Sequence, residues 1–127
     1  MSIEVKAGEL SEMLARFPFL YLLTVGEQRR PHISALTARV TDGVVVVSGA
    51  GRRSHDRIAT NPLVTLLAPP YEPGGYSLIV DGTGRSDGDV VLVSPTRAVL
   101  HRPASVPAPS VDGDCAQDCV EVGGTSE

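Results

Sequence analysis

The 127-residue chain contains no tryptophan and a single lysine, Lys6, and its aromatic residues are three tyrosines and two phenylalanines. A hydrophobic fraction of 42% must therefore be carried by Val, Leu, Ile and Ala. That composition builds a packed core and is not that of a disordered chain, at least over the first hundred residues. Positive charge is also scarce: the formal net charge is −4. Phosphate neutralisation needs a basic surface, so nucleic acid is not expected as a partner. Long apolar runs are missing too. Nothing approaches the ~18 apolar residues of a membrane helix, and "MSIEVKAGELSEMLARF" has no apolar run of signal-peptide type, so no membrane partner is expected and the chain reads as soluble and cytoplasmic. Only two cysteines are present, and in a reducing compartment they do not imply a structural disulfide.

The charge is uneven. Five acidic residues (Asp112, Asp114, Asp118, Glu121, Glu127) and no basic ones follow Pro103, whereas the preceding body is near neutral. Pro103, Pro107 and Pro109 lie among Ala, Ser, Gly and Asp. Residues 1–102 thus read as one domain and 103–127 as an acidic, flexible tail. Within the tail, Cys115 and Cys119 supply at most half of a zinc site. The alternatives are two free thiols or a reversible disulfide between them, and no metal is assigned.

Periodicity orders the body. Leu10, Met13, Leu14 and Phe17 mark one apolar helical face that Pro18 should end. Strands follow at "FLYLLTV", "HISALTARV" and "VVVVS", the last two joined by Asp42-Gly43, which favours a type I′ turn. "HDRIAT" predicts one or two helical turns stopped before Asn61-Pro62. "LVTLLA", "YSLIVDGTGR" and "DVVLVSPTRAVLHR" predict three more strands, with a bend at Gly82 and Gly84 and an interruption near Pro95. The fold class is mainly β with short α elements: about six antiparallel strands, an N-terminal helix and a short helix after the third strand. Closure into a barrel removes exposed strand edges. The alternative is an open α+β sheet.

"GRRSHDRIATNP", residues 51–62, concentrates hydrogen-bond donors between a strand and a helix. A phosphate needs convergent donors, a close-approaching backbone and a helix N-terminus. Arg52, Arg53, Ser54 and His55 could supply them, with Ser54 also capping the helix. The plainer alternative is solvated arginines beside a capping serine. His32, His101, Tyr71 and Tyr76 could face a ligand or simply pack. No Ser-His-Asp arrangement, Walker loop or carboxylate pair is present.

Taken in order, "LLTVGEQRRPHISAL", "VVVVSG", "RRSHDRIATNP" and "IVDGTG" resemble the pyridoxamine-phosphate-oxidase-like family of flavin-binding split barrels, over roughly residues 8–101, and the whole looks close to a small subgroup of actinobacterial type. The resemblance implies a split-barrel homodimer with FMN, or in some branches a deazaflavin, in a groove between the subunits. By position, Ser48 and Gly49 match the strand-end phosphate contact and Arg53 the loop arginine. Ile33, Ser34 and Ala35 match the segment lying along the flavin, and Ser77 a polar position reaching it from another strand. The family's loop lysine is replaced by Ser54, for which Arg52 and His55 could compensate. The family oxidases' long C-terminal region has no counterpart, so pyridoxamine phosphate oxidase activity proper is not expected. Three functions remain: a flavin-dependent oxidoreductase with no catalytic side chain of the usual kind, a non-enzymatic dimer that has lost flavin and binds another ligand such as haem or serves as a scaffold, or a redox or metal appendage carried by the tail.

Overall fold

A computed structural model of the chain describes residues 2–104. Its elements are β1 (Ser2–Glu4), a 3₁₀ turn (Ala7–Glu9), α1 (Leu10–Leu14), β2 (Leu20–Val25), β3 (Pro31–Thr41), β4 (Val44–Ser48), α2 (Arg52–Thr60), β5 (Leu63–Ala68), β6 (Ser77–Asp87) and β7 (Val90–His101). The sheet order is β1-β7-β4-β3-β2-β5-β6, and β6 also pairs with β7. Six antiparallel strands therefore close into a barrel, with β1 added outside on the far half of β7.

Alternation along each strand decides what faces inward. Leu20, Leu22 and Thr24 of β2, Val64, Leu66 and Ala68 of β5, and Leu78 and Val80 of β6 are buried, while their neighbours are not. Val45, Val47, Val91 and Val93 join them in one core, so small branched side chains fill the interior without a tryptophan. α1 closes one end, burying Leu10 and Leu14. It stops at Leu14, earlier than Pro18 requires; Phe17 lies in the following turn, where its N–H bonds the Leu14 carbonyl at 3.0 Å.

The β3–β4 turn has Asp42 at φ 51° and Gly43 at φ 78°, the two positive values a type I′ turn needs. β7 is continuous through Pro95, contrary to the expected interruption. The irregularity is a bulge: Asp81 pairs with Arg97 and Gly82 with Pro95, leaving Thr96 without a partner residue in the ladder. Gly82 permits the close approach, because a Cβ there would stand 2.5 Å from the Ser94 carbonyl oxygen. α2 also differs from expectation. It begins at Arg52, three residues before His55, and its N-cap is Gly51 with no side-chain cap, so Ser54 is not the cap. Cys115, Cys119 and the rest of the acidic tail lie outside the described residues.

Candidate functional site

The β3–β4 ladder stops at the Thr37–Ser48 pair, while β3 continues along β2 through residues 31–36. The edge of residues 31–36 turned away from β2 thus has no strand partner among the described residues. At the point where the ladder stops, Ser48 ends β4, Gly49 turns the chain at φ 90°, and α2 begins three residues later. An unpaired strand edge and a helix N-terminus therefore start from the same break in the barrel wall.

α2 is set firmly across this end of the barrel. Ser54 and Ile58, four residues apart, are its buried face. His55 Nδ1 lies 2.6 Å from the Ser86 hydroxyl of β6, tying the first turn to the sheet. Opposite it, the Arg57 stem packs on Gly26 at the end of β2. The helix stops at Asn61, whose N–H bonds the Arg57 carbonyl at 2.7 Å and whose Oδ1 accepts the Leu63 N–H at 3.1 Å. Asn61-Pro62 thus turns the chain directly into β5.

Of the residues predicted for a phosphate site, Arg52 and Arg53 project from the first turn and are exposed. Their own N–H groups are among those a helix start leaves without intrahelical partners, since the first capturing bonds run from Ser54 and His55 to the Gly51 carbonyl. Ser48 is half-buried and Gly49 exposed beside them in sequence. Ser54 points the other way: it is fully buried, and its hydroxyl has no hydrogen-bond partner among the described residues. The segment 33–35 divides by strand parity. Ile33 and Ala35 face outward, while Ser34 shares the inner side with Leu36.

Ser77 is not brought to α2. It opens β6, nine residues before Ser86, so along an extended strand the two are roughly 30 Å apart.

The outer face beside the break is apolar. Leu23 pairs with Ile33 on one side and Thr65 on the other, and Tyr21 pairs likewise with Ala35 and Leu67. Ile33 is 58% and Leu63 68% exposed. A groove of about 590 Å³ crosses this face between Leu23, Pro31, Leu63 and Asp81. Inside, Thr24 and His32 are register partners, and Thr24 Oγ1 and His32 Nδ1 are buried without hydrogen-bond partners among the described residues. Sequence reasoning treated His32 as a strand-end residue and missed this pair. Its only trace was a polar residue at an inward position of each strand. Among the described residues no cluster of His, Cys, Asp and Glu could hold a metal ion.

Over 133 aligned residues the chain is 37% identical to an uncharacterised protein of Mycobacterium bovis and, equally, to one of Mycobacterium tuberculosis, with 92% of this chain and 94% of each relative covered. The chain belongs to their family. No protein-family model matches it. Among solved structures it is similar to a candidate pyridoxamine 5'-phosphate oxidase from Listeria innocua, with a TM-score of 0.60, 17% identity, and 74% of this chain and 96% of the other covered. A FAD-binding protein from Mycobacterium smegmatis gives 0.58 and 21%, covering 80% and 100%. The haem storage protein HutZ from Vibrio cholerae gives 0.51 and 16%, covering 72% and 91%. The fold is therefore the split barrel of the pyridoxamine 5'-phosphate oxidase-like proteins. In this split barrel, α2 and its two leading arginines stand beside the break, and no helix among the described residues is long and apolar enough to cross a membrane.

Proposed function

We propose that this split barrel works as a cytoplasmic homodimer that binds a flavin-type cofactor, FMN in the first instance, and acts as a small oxidoreductase. The observation that carries this reading is the meeting of the α2 N-terminus, two exposed arginines and the unpaired β3 edge at one break in the barrel. Two N–H groups and two guanidinium groups suit a phosphate dianion, and residues 49–55 hold no carboxylate, the first acidic residue of α2 being Asp56. Arg52 and Arg53 hold the phosphate, with Ser48 and the Gly49 backbone beside it. Backbone groups of residues 33–35 lie along the ring, and Ile33 and Ala35 offer it an apolar floor. The outward face carrying Ile33 and Leu63 takes a second copy, whose Ser77 end then reaches the cofactor. When bound, the flavin supplies the hydride or electron chemistry, and the protein binds and orients it.

A second reading, a dimer that has exchanged flavin for haem or serves as a scaffold, is favoured by one observation: the position of the family's loop lysine holds Ser54, and its hydroxyl is buried. An absorption spectrum taken after incubation with FMN and desalting separates the two. A retained band near ~450 nm supports the flavin reading. A colourless protein after FMN and after a deazaflavin overturns it, and a haem spectrum under the same procedure moves the assignment to the second reading.

A further inference from the structure

α2 lies on the sheet through one face of β6, and that face is nearly bare. Gly82, Gly84 and Ser86 alternate onto it, so Ser86 is the first side chain that β6 presents beyond two glycines. The bareness lets the helix close down: a Cβ on Gly84 would stand 3.6 Å from Ile58 Cδ1 and 3.2 Å from Val64 Cγ1. Three residues before Ile58, His55 reaches Ser86, with Nδ1 2.6 Å from the hydroxyl oxygen. Among the described residues this is the one side-chain hydrogen bond between α2 and the sheet. His55 is half-buried and Ser86 exposed, and neither side chain forms another hydrogen bond among the described residues.

The contact engages Nδ1 and leaves Nε2. Side chains on a helix lean back towards its N-terminus, and Arg52 precedes His55 by three residues on the same side. The imidazole therefore stands over the turn that carries the free N–H groups of Arg52 and Arg53. A neutral imidazole has one N–H, so its two nitrogens cannot be set independently. If Nδ1–H donates to Ser86, Nε2 offers a phosphate only a lone pair. If the Ser86 hydroxyl donates to Nδ1, Nε2–H becomes a donor. A serine hydroxyl rotates to serve either way, and a partner on one ring nitrogen decides what the other presents. We propose that Ser86 is a positioning residue: its hydroxyl donates to His55 Nδ1, fixes the Nε2–H form and makes His55 a third side-chain donor to the cofactor phosphate, beside Arg52 and Arg53. The inference rests on the flavin reading and deepens it, since Ser86 acts from another strand without touching the cofactor.

The test joins ring-nitrogen spectra to binding. Long-range ¹H–¹⁵N spectra of the full chain, taken at about pH 8 where an ordinary imidazole is neutral, read the His55 tautomer with and without FMN. The Nε2–H form should dominate in both. Ser86→Ala should mix the tautomers and weaken FMN by about tenfold, the lower end for one hydrogen bond to a charged group. Ser86→Thr, which keeps the hydroxyl, should restore both. In a His55→Gln background, Ser86→Ala should cost FMN nothing further, because the residue through which it acts is gone. The proposal is overturned if the Nδ1–H form dominates with FMN bound, if Ser86→Thr behaves like Ser86→Ala, or if Ser86→Ala weakens FMN equally with and without His55. Inorganic phosphate, titrated in parallel, separates the two possible failures. A chain that binds phosphate with this dependence on Ser86 but binds no FMN overturns the flavin reading alone. A chain that binds FMN with no dependence on Ser86 overturns this inference alone.

Discussion

Leu63→Ala should cost the proposed dimer more than any other single truncation on the outer sheet. Leu63 is 68% exposed in the isolated chain, on the same face as Ile33. Fully burying a leucine side chain is worth ~1.5–3 kcal/mol, so covering the exposed two-thirds would contribute about 1–2 kcal/mol per copy. A two-fold interface uses each residue twice, which makes the loss about 2–4 kcal/mol per dimer, or roughly 30- to 700-fold in the dissociation constant. The fold of the single chain should be untouched, since Leu63 is outside the barrel core. Sedimentation velocity across a dilution series reads the effect directly, because the protomer is 13.3 kDa and the dimer twice that. Thr41→Ala, at an exposed turn-proximal position of β3, serves as the control and should not move the equilibrium. The reasoning is refuted if the unaltered protein sediments as a monomer at all concentrations. It is equally refuted if Leu63→Ala and Thr41→Ala behave alike.

Arg53→Ala should weaken FMN by ~10- to 150-fold, the value of one charge-assisted phosphate contact, and leave the melting temperature of the free protein unchanged; fluorescence quenching of FMN and a thermal melt check the two halves. Ser54→Ala should be neutral or stabilising by up to ~1 kcal/mol in urea denaturation, because it removes a buried hydroxyl without a hydrogen-bond partner among the described residues, and it should not alter FMN affinity. A clear loss of stability would mean that the hydroxyl has a partner. Gly82→Ala should destabilise by ~1–3 kcal/mol or more, as its Cβ would meet the Ser94 carbonyl oxygen and the Val93 side chain across the bulge. An unchanged denaturation midpoint would show that the bulge can relax.

Apolar, β-forming runs between turn signals made the six barrel strands legible, and Asp42-Gly43 announced its turn because only a few residue pairs tolerate two positive φ values. What escaped was non-local. β1 has three exposed residues and exists only because residues 2–4 pair with residues 99–101, a partnership nearly the whole chain apart. The first turn of α2 escaped because Arg52 and Arg53 carry no start signal. The helix is held there by Gly51 and by the His55–Ser86 contact from a strand thirty-one residues on. For the site, the loop arginines were readable from the order of motifs. The inward turn of Ser54 and the distance of Ser77 were not, since one depends on which face of α2 packs and the other on which end of the barrel a strand begins.

The closure of the barrel has a consequence in time. β4 finds its second neighbour in β7, and Val45 must wait for Val93, almost fifty residues later in the chain. During synthesis, β2, β3 and β4 can assemble as a meander as they emerge, but the four consecutive valines at 44–47 remain the open side of that meander until the last strand is made. Slow, late pairing of this kind exposes a nascent chain to self-association. The yield of native protein should therefore depend on how quickly residues 90–101 follow, and a ribosome stalled within β6 would present the cell with a half-built wall.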